Sequence, residues 1–194
     1  MNRIIKKISR FFCWLTFVSR EKGTVAIEFA LTLPIWVALL IGTADAAYMM
    51  ILTQRIDRVA YSVTDIVTQS DVITTDDLDR ILLAASQLMQ PFTFGADGIV
   101  IITSVYKPAG QATTISWQYS GGGTLGRGSK IGYVGSTPSL PNGMTISDNE
   151  NVIISEVYYY FRPMFINAGV LSEGDVYRAA IYKPRLSPLI TPPT

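Results

Sequence analysis

Residues 25–44 run for twenty positions with one charge, Glu28, and no polar face. At a rise of 1.5 Å per residue such a run spans about 30 Å as a helix, the thickness of a hydrocarbon core, and it predicts one membrane-crossing helix. Pro34 lies inside the run and removes a backbone donor, so a local kink or loosened turn is expected there. Further on the pattern changes. Ile56, Val59, Ala60, Val63, Ile66 and Val67 recur at spacings of three and four with polar residues between them, which is one apolar stripe on a helix. Together the two patterns fit a single helix from about residue 24 to 69, apolar all round at first and striped afterwards. A break near Asp45 would instead separate a membrane anchor from a soluble helix.

A second helix is predicted from about 76 to 89. Thr74 or Thr75 can cap it, Asp76, Asp77 and Asp79 complement its dipole, and Pro91 stops it. Its buried face reads Leu78, Ile81, Leu82, Ala85 and Leu88 or Met89. From Gly98 onward β-branched and aromatic residues dominate. Strands are predicted over Ile99 to Tyr106, Thr113 to Tyr119, Val152 to Phe161 and Val176 to Tyr182, with a hairpin turn at Lys107 to Gln111. Residues 120–149 are rich in Gly, Ser, Pro and Asn and read as a long loop, with a short strand around Ile131 to Val134. The tail from Pro184 carries four prolines and cannot join a sheet. The fold class is therefore α+β: a long N-terminal helix continuing into a small head with a second helix and an antiparallel sheet of about four strands. Within the Tyr158-Tyr159-Tyr160 run, alternation places Tyr159 on one sheet face and its neighbours on the other.

Charge sharpens this organisation. Residues 1–23 hold six basic groups against one acidic, leaving ten against fourteen in the rest of the 194-residue chain. A basic leader before an apolar run stays on the cytoplasmic side of a membrane and sends the following residues outside, and the head offers no basic cluster for nucleic acid. The expected organisation is a cytoplasmic leader over 1–23, the membrane helix over 24–45, its amphipathic extension over 46–70, a periplasmic α+β head over 71–186 and a proline-rich tail over 187–194. The single cysteine, Cys13, falls in the leader, so the exported part has no internal disulfide. Arg10, Phe11 and Phe12 before it lack the small residues of a lipidation site. With no histidine, the commonest general base and metal ligand are missing, and neither enzyme activity nor a cofactor is expected.

The junction of leader and apolar run is the one stretch with a functional pattern. A secretory signal peptide is cut after its apolar region, whereas here Gly23 precedes it and Glu28 follows five residues later, so a cut at Gly23 leaves the helix on the mature chain. Arg20, Lys22, Gly23, Glu28, Phe29, Leu33 and Pro34, in this order and spacing, resemble the N-terminus of TadE-like minor pseudopilins (TadE or TadF type) of the tight-adherence (Tad/Flp) pilus. The rest of the chain resembles that family only in its general plan, with Val157 to Phe161 and Lys183-Pro184-Arg185 as weaker echoes.

The resemblance implies cleavage between Gly23 and Thr24 by a prepilin peptidase of the bacterial inner membrane, whose catalytic groups belong to the peptidase. It also implies that Glu28 and Phe29 serve assembly, with Glu28 of one subunit pairing with the new Thr24 amine of a neighbour. The partners implied are the inner membrane, other pilin and pseudopilin subunits and the assembly platform, with no nucleic acid and no small-molecule substrate. The residues alone leave other readings open. Gly23 can simply end a basic juxtamembrane segment, and the Glu28 carboxylate can snorkel or favour the positive end of the helix dipole. The whole chain can be an unprocessed single-pass anchor for a periplasmic ligand- or protein-binding domain, or a type II secretion pseudopilin. Two further patterns suggest chemistry. Gly121 to Gly126 matches Gly-x-Gly-x-x-Gly but precedes turn residues and no helix, which reads as a flexible hairpin loop. Asp76, Asp77 and Asp79 lack the glycine and glutamate of a calcium loop, which leaves helix capping.

Overall fold

The computed structural model describes residues 21–165 and 172–194. The basic stretch up to Arg20, with Cys13, lies outside the described residues. Among them are two helices, α1 (Glu21–Thr68) and α2 (Thr75–Leu88), and four strands, β1 (Gly98–Lys107), β2 (Thr114–Gly121), β3 (Glu150–Phe161) and β4 (Gly174–Tyr182). The chain divides into two compact units, Met1–Ala46 and Ala47–Thr194.

In the first unit α1 is helical without interruption through Pro34. Residues 24–40 are all exposed, including Leu31, Trp36 and Leu40. The Thr32 and Thr43 hydroxyls donate to the carbonyls of Phe29 and Leu40 at 3.2 and 2.9 Å. Such bonds keep a hydroxyl satisfied where water is absent.

In the second unit the α1 stripe is Leu52, Ile56, Val59, Ala60, Val63 and Val67, all buried. Ile66, expected in that stripe, is instead exposed. It adjoins Val67 in sequence, and a step of 100° around the helix carries it off the buried face. Helix α2 starts with a reciprocal cap. The Thr74 hydroxyl accepts from the Asp77 amide and the Asp77 carboxylate accepts from the Thr74 amide, both at 3.2 Å. This cap holds the Asp77 carboxyl below its ordinary value, the Thr74 side chain contributing most. Leu78, Leu82, Ala85 and Met89 are buried.

The sheet runs in the order β2-β1-β3-β4, every neighbour antiparallel. Central strand β3 pairs with β1 from Gly98↔Tyr159 to Lys107↔Glu150 and with β4 from Ile153↔Tyr182 to Phe161↔Gly174. Both its faces are covered. Ile153, Val157, Tyr159 and Phe161 join the cluster that includes the stripe of α1 and the buried face of α2. Val152 and Ile154 face the other way and pack with Val105, Ile115, Ile131 and Ile146. Those last two residues come from the loop between β2 and β3, so this loop is the third layer of the head. Its only regular element is a short 3₁₀ turn, Pro141–Gly143.

Two expectations for this region change. Ile131 to Val134 forms no strand. Gly132 and Gly135 adopt φ of 135° and 84°, which breaks an extended run. The segment instead turns back on β2, the Ile115 amide donating to Ser136 and the Gly135 amide to Ile115. The proline-rich tail joins no sheet, as its composition dictates, but it does enter the core through the buried Leu189.

Candidate processing and assembly site

Gly23, Thr24, Glu28 and Phe29 all lie on helical backbone of α1. Gly23 is half-buried, Thr24 and Glu28 are exposed, and Phe29 is 62% exposed. Four residues make about one turn, so Thr24 and Glu28 share a face, the glutamate about 6 Å further along the axis. Glu28 forms no ion pair among the described residues. From Thr24 to Leu40 the helix shows apolar side chains on every side, so its surroundings rather than its own fold must cover it. It is the one helix among the described residues long and apolar enough to cross a membrane.

A peptide bond between Gly23 and Thr24 can enter a protease only if the helix opens there. Glycine lowers the cost of that opening by about 1 kcal/mol relative to alanine, and its missing Cβ allows close approach.

The other chemistry-bearing residues are structural. Glu156, in the middle of β3, is fully buried on the loop side of the sheet. Its carboxylate accepts from the Ser129 hydroxyl, from the Lys130 amide at 2.9 Å and from the Tyr177 hydroxyl at 3.0 Å. The Lys130 ammonium lies 3.9 Å from the centroid of the Tyr177 ring. Burial, then the Glu156 charge, pushes the Tyr158 phenol up to about 12, and the same two causes raise Tyr177. Both phenols therefore stay protonated, and the cluster pins the long loop to the sheet. Sequence reasoning missed it because its partners lie 21 to 27 residues from Glu156 and carry no local spacing. One signal was available: a lone acidic residue in the most apolar strand.

The glycine-rich match is also spent on packing. A Cβ on Gly123 would stand 2.2 Å from the Gly98 carbonyl oxygen and 2.8 Å from that of Gly95. The amides of Thr124 and Leu125, which a phosphate would need, donate to those same carbonyls at 2.7 and 3.2 Å. Of the three aspartates, Asp77 caps α2 and Asp79 accepts from the Tyr119 hydroxyl at 2.6 Å.

Residues 23–64 match the family model described as TadE-like protein. No curated protein and no solved structure matches the chain. The matched segment starts at Gly23, contains Thr24, Glu28 and Phe29, and ends within α1; the sheet lies outside it. Residues 23–64 are thus a TadE-like segment, as their motif led us to expect.

Proposed function

We propose that this protein is a minor pseudopilin of a Tad/Flp-type pilus, cut between Gly23 and Thr24 by a prepilin peptidase and acting by subunit packing rather than by catalysis. The observation that carries the reading is the match of a TadE-like segment that opens at Gly23 on a helix whose apolar surface is unburied and whose only charge before Asp45 is Glu28. The basic leader stays in the cytoplasm, the helix crosses the inner membrane, and the α+β head is periplasmic. After the cut, the Thr24 amine of one subunit meets Glu28 of its neighbour, and the apolar helices pack together as the subunit leaves the bilayer. Adherence follows from the assembled pilus. Mass spectrometry of the protein purified from membranes tests this: a mature chain starting at Thr24 is expected. A chain that retains its leader in cells with an active prepilin peptidase overturns the proposal in favour of an unprocessed anchor.

A further inference from the structure

Most cations of the second unit are held in the six ion pairs found among the described residues. Arg55 and Arg58 of α1 enter none of them, and neither do Asp71 and Asp76. Arg58, Asp71 and Asp76 are exposed and Arg55 is half-buried. Each of these two sets of charges adjoins large apolar side chains that are also exposed. On α1, residues 51, 55, 58, 62 and 66 follow one another at three or four residues and so share one face, turned away from the buried stripe. Ile51, on that face one turn before Arg55, is 45% exposed. At the end of α1 the Arg185 amide donates to the Thr68 carbonyl at 2.9 Å and the Ser187 hydroxyl to the Asp71 carbonyl at 2.6 Å. These two bonds set Leu186, 68% exposed, beside Val72, 73% exposed, with the 45% exposed Ile66 in the last turn of α1.

Within one copy the two faces cannot satisfy each other. From Arg58 to the end of α1 at Thr68 the helix rises about 15 Å, well beyond the reach of an ion pair, and Asp71 lies past that end. We propose that the second unit docks on a second copy of this chain, the Ile51–Arg55–Arg58 face of one copy resting on the Ile66–Val72–Leu186 end of the next, with the two arginines against Asp71 and Asp76. Exposed ion pairs contribute little by themselves, so the apolar side chains supply the attraction and the charges select the orientation. A face meeting its own copy would set arginine against arginine or aspartate against aspartate, which opposes a two-fold pair. The contact is therefore heterologous: each copy keeps one face free, and copies add in a row instead of closing a dimer. It goes beyond the proposed function by naming a surface of the head, rests on that reading only in taking copies of the chain to meet, and uses no residue before Ile51.

The test uses two differently tagged full-length chains, both with Cys13→Ser, produced together and oxidised in their membranes. One carries Ile51→Cys and the other Val72→Cys. A mixed disulfide joining the two tags is expected. Arg58→Asp in the first chain should lower its yield several-fold, Asp71→Arg in the second should do the same, and the two together should restore it. All four positions are exposed, so the head keeps its core. Absence of the mixed disulfide overturns the contact, and so does a mixed disulfide that neither charge reversal weakens. A disulfide between two chains that both carry Ile51→Cys, in place of the mixed one, shows a two-fold pair and overturns the head-to-tail order. A cross-link from either cysteine to a different protein, in place of the mixed disulfide, overturns self-docking. The mass of the same chains separates this result from the reading it rests on. Chains that start at Thr24 without the cross-link remove the contact alone, whereas cross-linked chains that retain the leader keep the contact and remove the processed pseudopilin.

Discussion

The indole N–H of Trp117 on β2 donates to the backbone carbonyl of Leu189 in the tail at 2.8 Å, and the hydroxyl of Ser104 on β1 donates to the same carbonyl at 2.6 Å. The Leu189 amide in turn donates to the Asn151 side chain on β3 at 2.9 Å. Three strands therefore satisfy one tail residue, whose side chain is 4% exposed. Leu189→Ala is expected to cost roughly 2 to 5 kcal/mol through the cavity it leaves. Asn151→Ala should cost roughly 1 to 3 kcal/mol by orphaning a buried amide. Urea denaturation in detergent, followed by near-UV circular dichroism, reads both. A tail that merely lies on the surface would show neither loss.

The glycine-rich turn makes a contrast within one motif. A Cβ at Gly123 meets two backbone carbonyls well inside contact distance, whereas at Gly126 it meets nothing within 4 Å. Gly123→Ala should therefore lower the melting temperature by several degrees, as a backbone shift costing about 1 to 3 kcal/mol does in a head of this size. Gly126→Ala should leave it unchanged. Equal effects at the two positions would show that flexibility, not packing, is what the glycines supply.

The local patterns carried most of the fold. The apolar first half of α1, the capped start of α2 and the four strands each announce themselves within a window of ten to twenty residues, because periodicity and turn chemistry are local. What escaped depends on partners far along the chain. Glu156 is tolerable only because Ser129, Lys130 and Tyr177 fold onto it, and Leu189 is core only because Ser104, Trp117 and Asn151 receive it. Ile131 illustrates a third case: it is buried as a strand residue would be, but the glycine after it turns the chain. At the candidate site the order was reversed. Gly23 and Glu28 stand out by their spacing alone, which needs no fold to be seen, while whatever surrounds them is not encoded in the fold of one chain.

The two phenols beside Glu156 predict a specific alkaline weakness. Burial first and the Glu156 charge second raise Tyr158 to about 12 from an ordinary value near 10, and raise Tyr177 as well. A raised folded value means that the stabilising contribution is complete below the unfolded value and is lost as pH climbs through the folded one. Stability of the head should accordingly hold up to about pH 10 and fall from there toward pH 12. Tyr158→Phe keeps the ring and removes the ionisation, so its stability should decline less steeply over that window. Tyr177→Phe also removes a donor to the buried carboxylate, and it should cost roughly 1 to 3 kcal/mol already at neutral pH. Melting curves of the three proteins between pH 7 and 12 separate these effects. A wild-type decline no steeper than that of Tyr158→Phe would contradict the coupling.

Glu28 gives the most direct prediction about assembly. If α1 crosses the membrane as proposed, Glu28 is a carboxylate about 6 Å inside an apolar layer, which is costly, though less than the roughly 2.5 to 3.5 kcal/mol of a charge at the bilayer centre, and a partner would offset that cost. The Thr24 amine that the proposed cleavage would free lies one turn away along the helix, and in the proposed assembly the partner is the amine of a neighbouring subunit. We read cleavage of the Gly23–Thr24 bond as depending on the glycine and not on the carboxylate. Glu28→Gln and Glu28→Ala should therefore still yield mature chains starting at Thr24, while incorporation into sheared pili falls sharply. Glu28→Asp, which keeps the charge on a shorter arm, should restore part of it. The readouts are the mass of the mature chain and the amount of it in the pilus fraction. Normal incorporation of both neutral variants would reject a role for the charge in subunit pairing, and loss of processing in them would move Glu28 into the recognition site of the peptidase.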